Sequence, residues 1–113
     1  MNDKDIDGET LLYKEAGAGY VKKCNKLLSR GANTEIANKN GRTPLSIAAI
    51  RGHENVCGVL LKAGAAVDHV SKYNGDTPLY WAAYGGHDKV CELLLEAGAA
   101  VDHVNKYGET PLS

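Results

Sequence analysis

The sequence predicts an all-α solenoid of stacked helix-turn-helix units joined by finger loops. The main observation is a segment that recurs, since Gly41-Arg-Thr-Pro-Leu-Ser-Ile-Ala-Ala49 returns as Gly75-Asp-Thr-Pro-Leu-Tyr-Trp-Ala-Ala83. A weaker copy begins at Gly8 and a shorter one at Gly108, so the four glycines are 33, 34 and 33 residues apart. A fixed period of this length indicates small units that bury their apolar faces only by stacking on one another.

Each repeat carries signals for two short helices. In the second copy, Thr43 can cap a helix and Pro44 suits its first position, where no backbone N–H is needed. Gly52 should end that helix, and a second helix should end at Gly64 in the left-handed conformation. Residues 66–74 then predict an extended loop or a β-hairpin finger. Helices of about two turns are unstable alone in water, so their stability must come from stacking.

Composition excludes several functional classes. The 113 residues carry a net charge of −1, which is a poor match for the basic surface of a nucleic-acid-binding protein. No apolar run approaches the ~18 residues of a membrane span. We therefore expect no nucleic-acid partner and no membrane partner.

The three cysteines occupy the same place in each repeat. Cys24, Cys57 and Cys91 are 33 and 34 residues apart. Equivalent places in stacked helices lie about 8–10 Å apart, whereas a disulfide needs Cα atoms within about 7 Å. Three free thiols are therefore expected, which favours an intracellular, cytoplasmic protein, with the nucleus left open.

Thr-Pro-Leu-x-x-Ala-Ala, then Gly-His, then Leu-Leu-x-x-Gly-Ala at this period resembles the ankyrin repeat, and the resemblance covers essentially the whole chain. The resemblance implies a helix-turn-helix and a β-hairpin finger per repeat, stacked into a slightly curved solenoid. It also implies protein–protein recognition without catalysis. The contact surface it implies is the concave side, made of finger tips and the exposed faces of the first helices.

We divide the single solenoid of residues 1–113 into a degenerate N-terminal capping repeat (8–40), repeat 2 (41–74), repeat 3 (75–107) and a truncated repeat 4 (108–113). The capping assignment rests on charged residues, Glu15 and Lys23, at places that are apolar in the other repeats. The stub leaves the end of repeat 3 without a polar cover. We expect a monomer excised from a longer array, with self-association through this end as the alternative.

The resemblance also identifies an unusual position. The family usually has a histidine after Thr-Pro-Leu, which helps to tie neighbouring repeats together by hydrogen bonds. Here that position holds Tyr13, Ser46, Tyr80 and Ser113. The usual network is therefore not expected in the same form.

Two patterns could carry chemistry, but we predict that neither does. His53 and Cys57, like His87 and Cys91, are four residues apart and could share a helix face, yet zinc needs three or four ligands. The Asp68-His69 and Asp102-His103 pairs could orient an imidazole for acid–base catalysis, but no nucleophile is placed beside them. We predict turn and core roles for the first pattern and polar loops for the second. We therefore expect no metal, no cofactor and no enzyme activity.

The aromatic residues give the strongest indication of a binding surface. The chain has no Phe, and five of its seven aromatic residues lie in or beside repeat 3. Tyr and Trp, together with Arg, are enriched in interface hot spots. Trp81 also replaces a usual core aliphatic residue, so burial is the competing interpretation for it. The predicted partner-binding residues are Arg42, Ile50, Arg51, Lys72, Tyr73, Asp76, Tyr80, Trp81, Tyr84, Lys106 and Tyr107.

The sequence thus predicts a module that binds a protein or peptide through finger tips and concave first-helix faces. Mixed charge around the aromatic residues favours a protein partner over a polyanion. A structural spacer or targeting arm of a larger multidomain protein remains the alternative function. A redox- or metal-responsive cysteine column is a further alternative, which thiol titration would distinguish.

Overall fold

The computed structural model describes residues 2–111. Six helices occur in this range, in three pairs: α1 (Leu11–Ala18), α2 (Val21–Ser29), α3 (Pro44–Arg51), α4 (Glu54–Lys62), α5 (Pro78–Tyr84) and α6 (Asp88–Glu96). The stub at 108–113 is described only as far as Pro111, so Ser113 lies outside the described residues.

The six helices form two layers. The first helices α1, α3 and α5 pack against one another in sequence, and the second helices α2, α4 and α6 do the same. Each first helix also packs on the second helix of its own pair. This arrangement confirms the predicted all-α stack. None of the helices in residues 2–111 has the length and apolar character that crossing a membrane requires.

The first helices begin and end as their local sequence predicts. The hydroxyl oxygens of Thr10, Thr43 and Thr77 accept the backbone N–H three residues ahead at 3.2, 3.2 and 3.3 Å. Pro44 and Pro78 occupy the first helical positions. These contacts satisfy N–H groups that a helix leaves unpaired at its start.

The core is a continuous column through the stack. Leu12, Leu45 and Leu79 of the first helices are fully buried, and so are Leu60 and Leu94 of the second helices. Cys24 and Cys57 are buried among them and unpaired, and Cys91 is a half-buried free thiol. The prediction of three free thiols is confirmed.

The fingers are tight turns, and residues 2–111 contain no strand. Four finger turns, at 5–9, 38–42, 71–76 and 105–109, are each closed by one backbone hydrogen bond of 2.9–3.1 Å between their first and last residues. A single closing bond is too short a ladder to form a β-hairpin, which explains the difference from the expected strands. The inserted residue Asn74 lies in the third of these turns, as expected for an insertion.

The two ends of the stack differ. Lys23 is exposed as expected of a cap, but Glu15 is half-buried and its Oε2 atom has no hydrogen-bond partner within residues 2–111. At the other end, Val101 is exposed, whereas its counterpart Val67 is partly buried, and Val104 is exposed like its own counterpart Val70. The end of repeat 3 therefore presents apolar side chains to solvent.

Candidate functional site

The predicted binding residues fall into three groups by exposure. Tyr73, Tyr84 and Tyr107 are well exposed, at 59%, 78% and 66% of their maximum. The cations Arg51, Lys72 and Lys106 are exposed as well, whereas Arg42, Ile50, Tyr80 and Trp81 are half-buried. Asp76 is buried. The exposure expected of the three tyrosines is confirmed, while their role in binding stays a prediction.

Three aromatic rings of helix α5 form one cluster. The Tyr80 ring lies edge-on to Trp81 with centroids 5.4 Å apart and stacks on Tyr84 at 6.1 Å. The guanidinium carbon of Arg42, from the finger turn 38–42 that precedes α3, lies 5.4 Å from the centroid of the Trp81 ring. Such cation–π contacts orient a charge without neutralising it. The aromatic cluster of Tyr80, Trp81 and Tyr84 therefore joins repeats 2 and 3 into one surface.

Trp81 is partly exposed, and its ring contacts other side chains of the surface. Its ring is half-buried, but its indole Nε1 atom is inaccessible and has no acceptor among the residues that the structure describes. Arg42 Nε is in the same condition. Buried donors without acceptors are rare in native proteins, so this part of the surface is polar but incompletely satisfied.

The prediction that Asp76 is an open contact residue is wrong. Asp76 is only 4% exposed, and its Oδ1 atom accepts a 2.8 Å hydrogen bond from Nδ2 of Asn105 in the next finger turn. Glu109 accepts a second bond from Asn105 Nδ2 at 3.0 Å and one from the Tyr80 hydroxyl at 3.2 Å. Asp76 therefore connects two neighbouring finger turns, and Glu109 connects its own finger turn to helix α5. Burial, together with the neighbouring Glu109 carboxylate, raises the pKa of Tyr80.

The four histidines connect neighbouring parts of the stack, which the sequence interpretation missed. Nε2 of His53 lies 3.1 Å from the carbonyl oxygen of Gly17, and Nε2 of His87 lies 3.1 Å from that of Ile50. In the fingers, His69 and His103 reach the carbonyls of the repeat glycines, 28 residues earlier, at 3.0 and 2.9 Å. A carbonyl only accepts, so Nε2 carries the proton in each ring.

Asp68 also has a structural contact instead of a free loop position. Its carboxylate accepts the backbone N–H of Ala100 at 3.1 and 3.2 Å, and Glu35 accepts the N–H of Ala66 in the same way at 3.2 Å. Asp68 therefore bonds the backbone of the next repeat, and His69 and His103 bond carbonyl oxygens of earlier glycines. Within the described range, no group of three or more His, Cys, Asp or Glu residues could hold a metal ion.

Tyrosine partly replaces the histidine expected after Thr-Pro-Leu. The hydroxyl of Tyr13 accepts a 3.0 Å hydrogen bond from Asn38 Nδ2 of the next finger turn, whereas the hydroxyl of Tyr80 donates one of 3.2 Å to Glu109 Oε1 of its own next finger turn. Ser46 is too short to reach the next finger and contacts Thr43 Oγ1 at 3.0 Å instead. Bonds from a first helix to the next finger turn are thus present at Tyr13 and Tyr80, while Ser46 bonds within its own repeat.

A groove on the opposite layer was not predicted. It has a volume of about 640 Å³ and lies between α4 and α6, lined by Gly58, Val59 and Leu93 with charged residues around them. None of the predicted binding residues lines it. In the sequence, the feature that could have indicated this groove is Gly58, a glycine in the middle of the predicted second helix. In the structure, a β-carbon at Gly58 would meet nothing within 4 Å, which shows the open space beside it. The groove lies on the layer of second helices and the aromatic cluster lies on α5 of the other layer, so the two are separate.

Comparison with known proteins identifies the repeat type independently of this geometry. A family model described as ankyrin repeats in three copies matches residues 1–71, and a model of the single ankyrin repeat matches residues 74–106. The chain is 34% identical over 76 residues to ankyrin repeat domain-containing protein OPG015 of monkeypox virus, which covers 60% of the chain and 17% of that protein.

Two further relatives come from a human and a plant protein. Identity is 36% over 68 residues to human transient receptor potential cation channel subfamily A member 1, covering 58% of the chain and 6% of the channel subunit. It is 38% over 69 residues to ankyrin repeat-containing protein ITN1 of Arabidopsis thaliana, covering 59% of the chain and 12% of that protein. The chain therefore matches only a small part of the length of each of these relatives.

Proposed function

The chain belongs to the ankyrin repeat family, and from this premise we propose that it is a non-catalytic module that binds a protein or peptide. The proposed contact surface is the first-helix and finger side of repeats 2 and 3. The observation that carries this proposal is the aromatic cluster, in which Tyr84 is 78% exposed on a helix whose other face is packed. Exposed tyrosine beside a stacked arginine is typical of interface hot spots and serves no need of the core.

The proposal is tested by binding measurements with matched tyrosine variants. Peptide ligands are selected from a displayed random library against the wild-type chain, and their Kd values are compared for Tyr84→Ala, Tyr73→Ala and Tyr20→Ala. Tyr20 is a comparably exposed tyrosine, but it lies in the turn between α1 and α2 of repeat 1, outside the proposed surface of repeats 2 and 3. We expect losses of about 1–3 kcal/mol for the first two variants and no loss for the control.

Two results would contradict the proposal. If both Tyr84→Ala and Tyr73→Ala bind as tightly as the wild type, the contact surface lies elsewhere, and the groove between α4 and α6 becomes the better candidate. If Tyr20→Ala is weakened equally, the effect is not local to this surface.

A structural spacer or targeting arm is the second candidate. It is favoured by the small share, 6–17%, of each of the three relatives named above that the chain matches, since activity in such proteins can lie in other segments. Failure of library selection to yield any ligand, with a folded chain confirmed by circular dichroism, would favour the spacer. In either case we propose an intracellular location, supported by the three free thiols.

A further inference from the structure

The finger turns hold three lysines in one column. The backbone N–H of Lys39 donates to Asp7, that of Lys72 to Asn40 and that of Lys106 to Asn74, at 3.0, 3.2 and 3.0 Å. Each bond joins one finger turn to the preceding one, so the same residue type is fixed at the same place in successive fingers. All three lysines are exposed.

Two of these lysines carry charge that the chain does not neutralise. Lys39 Nζ lies 3.2 Å from the Asp7 carboxylate. Lys72 and Lys106 form no ion pair with any carboxylate of residues 2–111, and their ammonium groups lie 5.6 and 5.2 Å from the ring centroids of Tyr73 and Tyr107. Each finger therefore presents a cation together with an exposed aromatic face.

Two carboxylates of the same finger turns already accept hydrogen bonds from other residues of the chain. Asp76 is buried and bonded to Asn105, and Glu109 accepts bonds from Asn105 and Tyr80. Asp76 is therefore held inside the stack, and Glu109, although exposed, is bonded to donors of the chain itself. The ammonium groups of Lys72 and Lys106, on the third and fourth finger turns, have no ion-pair partner within residues 2–111, and their positive charge is complementary to carboxylates of a partner.

The spacing of the tips restricts the conformation of such a partner. Successive repeats are separated by about 8–10 Å. A polyproline II segment returns to the same face every third residue, about 9.3 Å along its axis. An extended β-strand returns to the same face every second residue, about 6.7 Å along, and does not match one repeat. Tyrosine rings are also typical of surfaces that bind polyproline II segments.

We propose that Lys72 with Tyr73 and Lys106 with Tyr107 form a docking site for an acidic polyproline II segment of a partner protein. The segment carries two carboxylates three residues apart, one for each lysine, and its intervening apolar or proline rings lie on the tyrosines. The site lies within the proposed interaction surface and so rests on the proposed function, for which it specifies the class of partner.

A single-stranded nucleic acid is the competing ligand, because lysine beside an aromatic ring also suits phosphates and bases. The charge of the chain favours the peptide. Asp3, Asp5 and Asp7 are exposed before the first lysine of the column, and the net charge is −1. A polyanion that continued past two fingers would meet these carboxylates, whereas a short acidic segment would not.

The test uses dye-labelled ten-residue peptides and fluorescence polarisation. All four peptides are rich in proline. Three of them carry two glutamates whose positions differ by two, three or five residues, and the fourth carries two lysines three positions apart. They are titrated with the wild-type chain and with Lys72→Glu, Lys106→Glu and Lys62→Glu. Lys62 is an exposed lysine in the last turn of α4, away from the fingers, and serves as the control. A ten-nucleotide oligouridine is the polyanion probe.

We expect the peptide with glutamates three positions apart to bind most tightly. Lys72→Glu and Lys106→Glu should each weaken its affinity by about three- to ten-fold, and Lys62→Glu should leave that affinity unchanged. The double variant Lys72→Glu/Lys106→Glu should instead bind the lysine peptide. Equal affinity for all glutamate spacings, loss of binding in Lys62→Glu to the same extent, or tighter binding of oligouridine would overturn the inference. If no acidic peptide binds but selected ligands remain sensitive to Tyr84→Ala, this inference fails while the proposed function stands.

Discussion

The imidazole of His87 occupies the space that a side chain on Gly52 would need. A β-carbon built on Gly52 would lie 2.5 Å from Nδ1 of His87, and the backbone of Gly52 has a φ of +74°. The same relation holds one repeat earlier, where the ring of His53 lies 2.9 Å from a β-carbon on Gly19. The Gly-His pairs in the sequence are thus an inter-repeat contact, in which the histidine of one repeat packs on the glycine of the repeat before it.

Two glycine substitutions should change stability in opposite directions. Gly52→Ala places a β-carbon in the left-handed region and against His87, so we expect a loss of about 2 kcal/mol or more in the free energy of unfolding. Gly58→Ala, in the middle of α4 with nothing within 4 Å of the new methyl, should gain about 0.5–1 kcal/mol. Urea denaturation of both variants gives the comparison, and a loss of stability in Gly58→Ala would show that α4 needs its glycine for packing.

Removing the imidazole of His87 should lower the stability of the chain and also remove the ring that blocks a side chain at position 52. His87→Ala leaves the carbonyl oxygen of Ile50 without its 3.1 Å partner, which should cost about 1–2 kcal/mol. In that background Gly52→Ala meets no ring, so only the backbone cost of about 1–2 kcal/mol should remain. A double-mutant cycle measured by urea denaturation reports this coupling. Strictly additive losses would mean that the ring does not restrict Gly52.

The helix boundaries could be predicted because their determinants are local. Thr43 and Pro44 act within one turn of the helix they begin, and Gly52 adopts its conformation without help from distant residues. The apolar positions followed from the repeat period in the same way. For these features, residue type and spacing were sufficient.

The roles of Asp76 and the histidines could not be read from their neighbours in sequence. Asp76 bonds Asn105, 29 residues away, and His87 bonds Ile50, 37 residues away. A polar residue in a loop looks exposed until the stacking geometry supplies its partner. The expected exposure was confirmed for Tyr84, which is 78% exposed although it touches two other rings of its own helix, and it was wrong for Asp76, where the next finger supplied a donor.

Core leucines should be far more sensitive to truncation than their neighbours. Leu60 and Leu94 are fully buried at the same place in α4 and α6, so Leu60→Ala and Leu94→Ala should each cost about 2–5 kcal/mol through the cavity left behind. Leu95→Ala is the matched control, because Leu95 is 42% exposed in the same helix, and it should cost less than about 1 kcal/mol. Circular dichroism during thermal unfolding would order the three variants. A loss for Leu95→Ala as large as that for Leu94→Ala would place the core boundary elsewhere.

The three thiols should differ in reactivity because they differ in burial. Burial raises the pKa of Cys24 to about 11 and that of Cys57 to about 12, and it raises the pKa of Cys91 as well. Cys91 is half-buried and the other two are inaccessible. A disulfide reagent such as DTNB at pH 8 should therefore label Cys91 first, and Cys91→Ser should remove the fast phase. Three equal rates, or a fast phase that persists in Cys91→Ser, would contradict this order.

Alkaline pH should weaken the fold through the same buried thiols. The pKa of Cys57 is raised from 9.0 in the unfolded chain to about 12 in the folded one, so the unfolded state releases its proton first as pH rises. The stabilisation from the neutral thiol is complete below about pH 9 and is lost between about pH 9 and 12, at up to about 1.4 kcal/mol per pH unit. Urea denaturation at pH 8, 9 and 10 should show a steeper decline for the wild type than for Cys57→Ala, in which this group is absent. Because lysines and the other cysteines are the same in both chains, the difference between the two slopes isolates Cys57, and parallel slopes would show that its thiol ionises equally in both states.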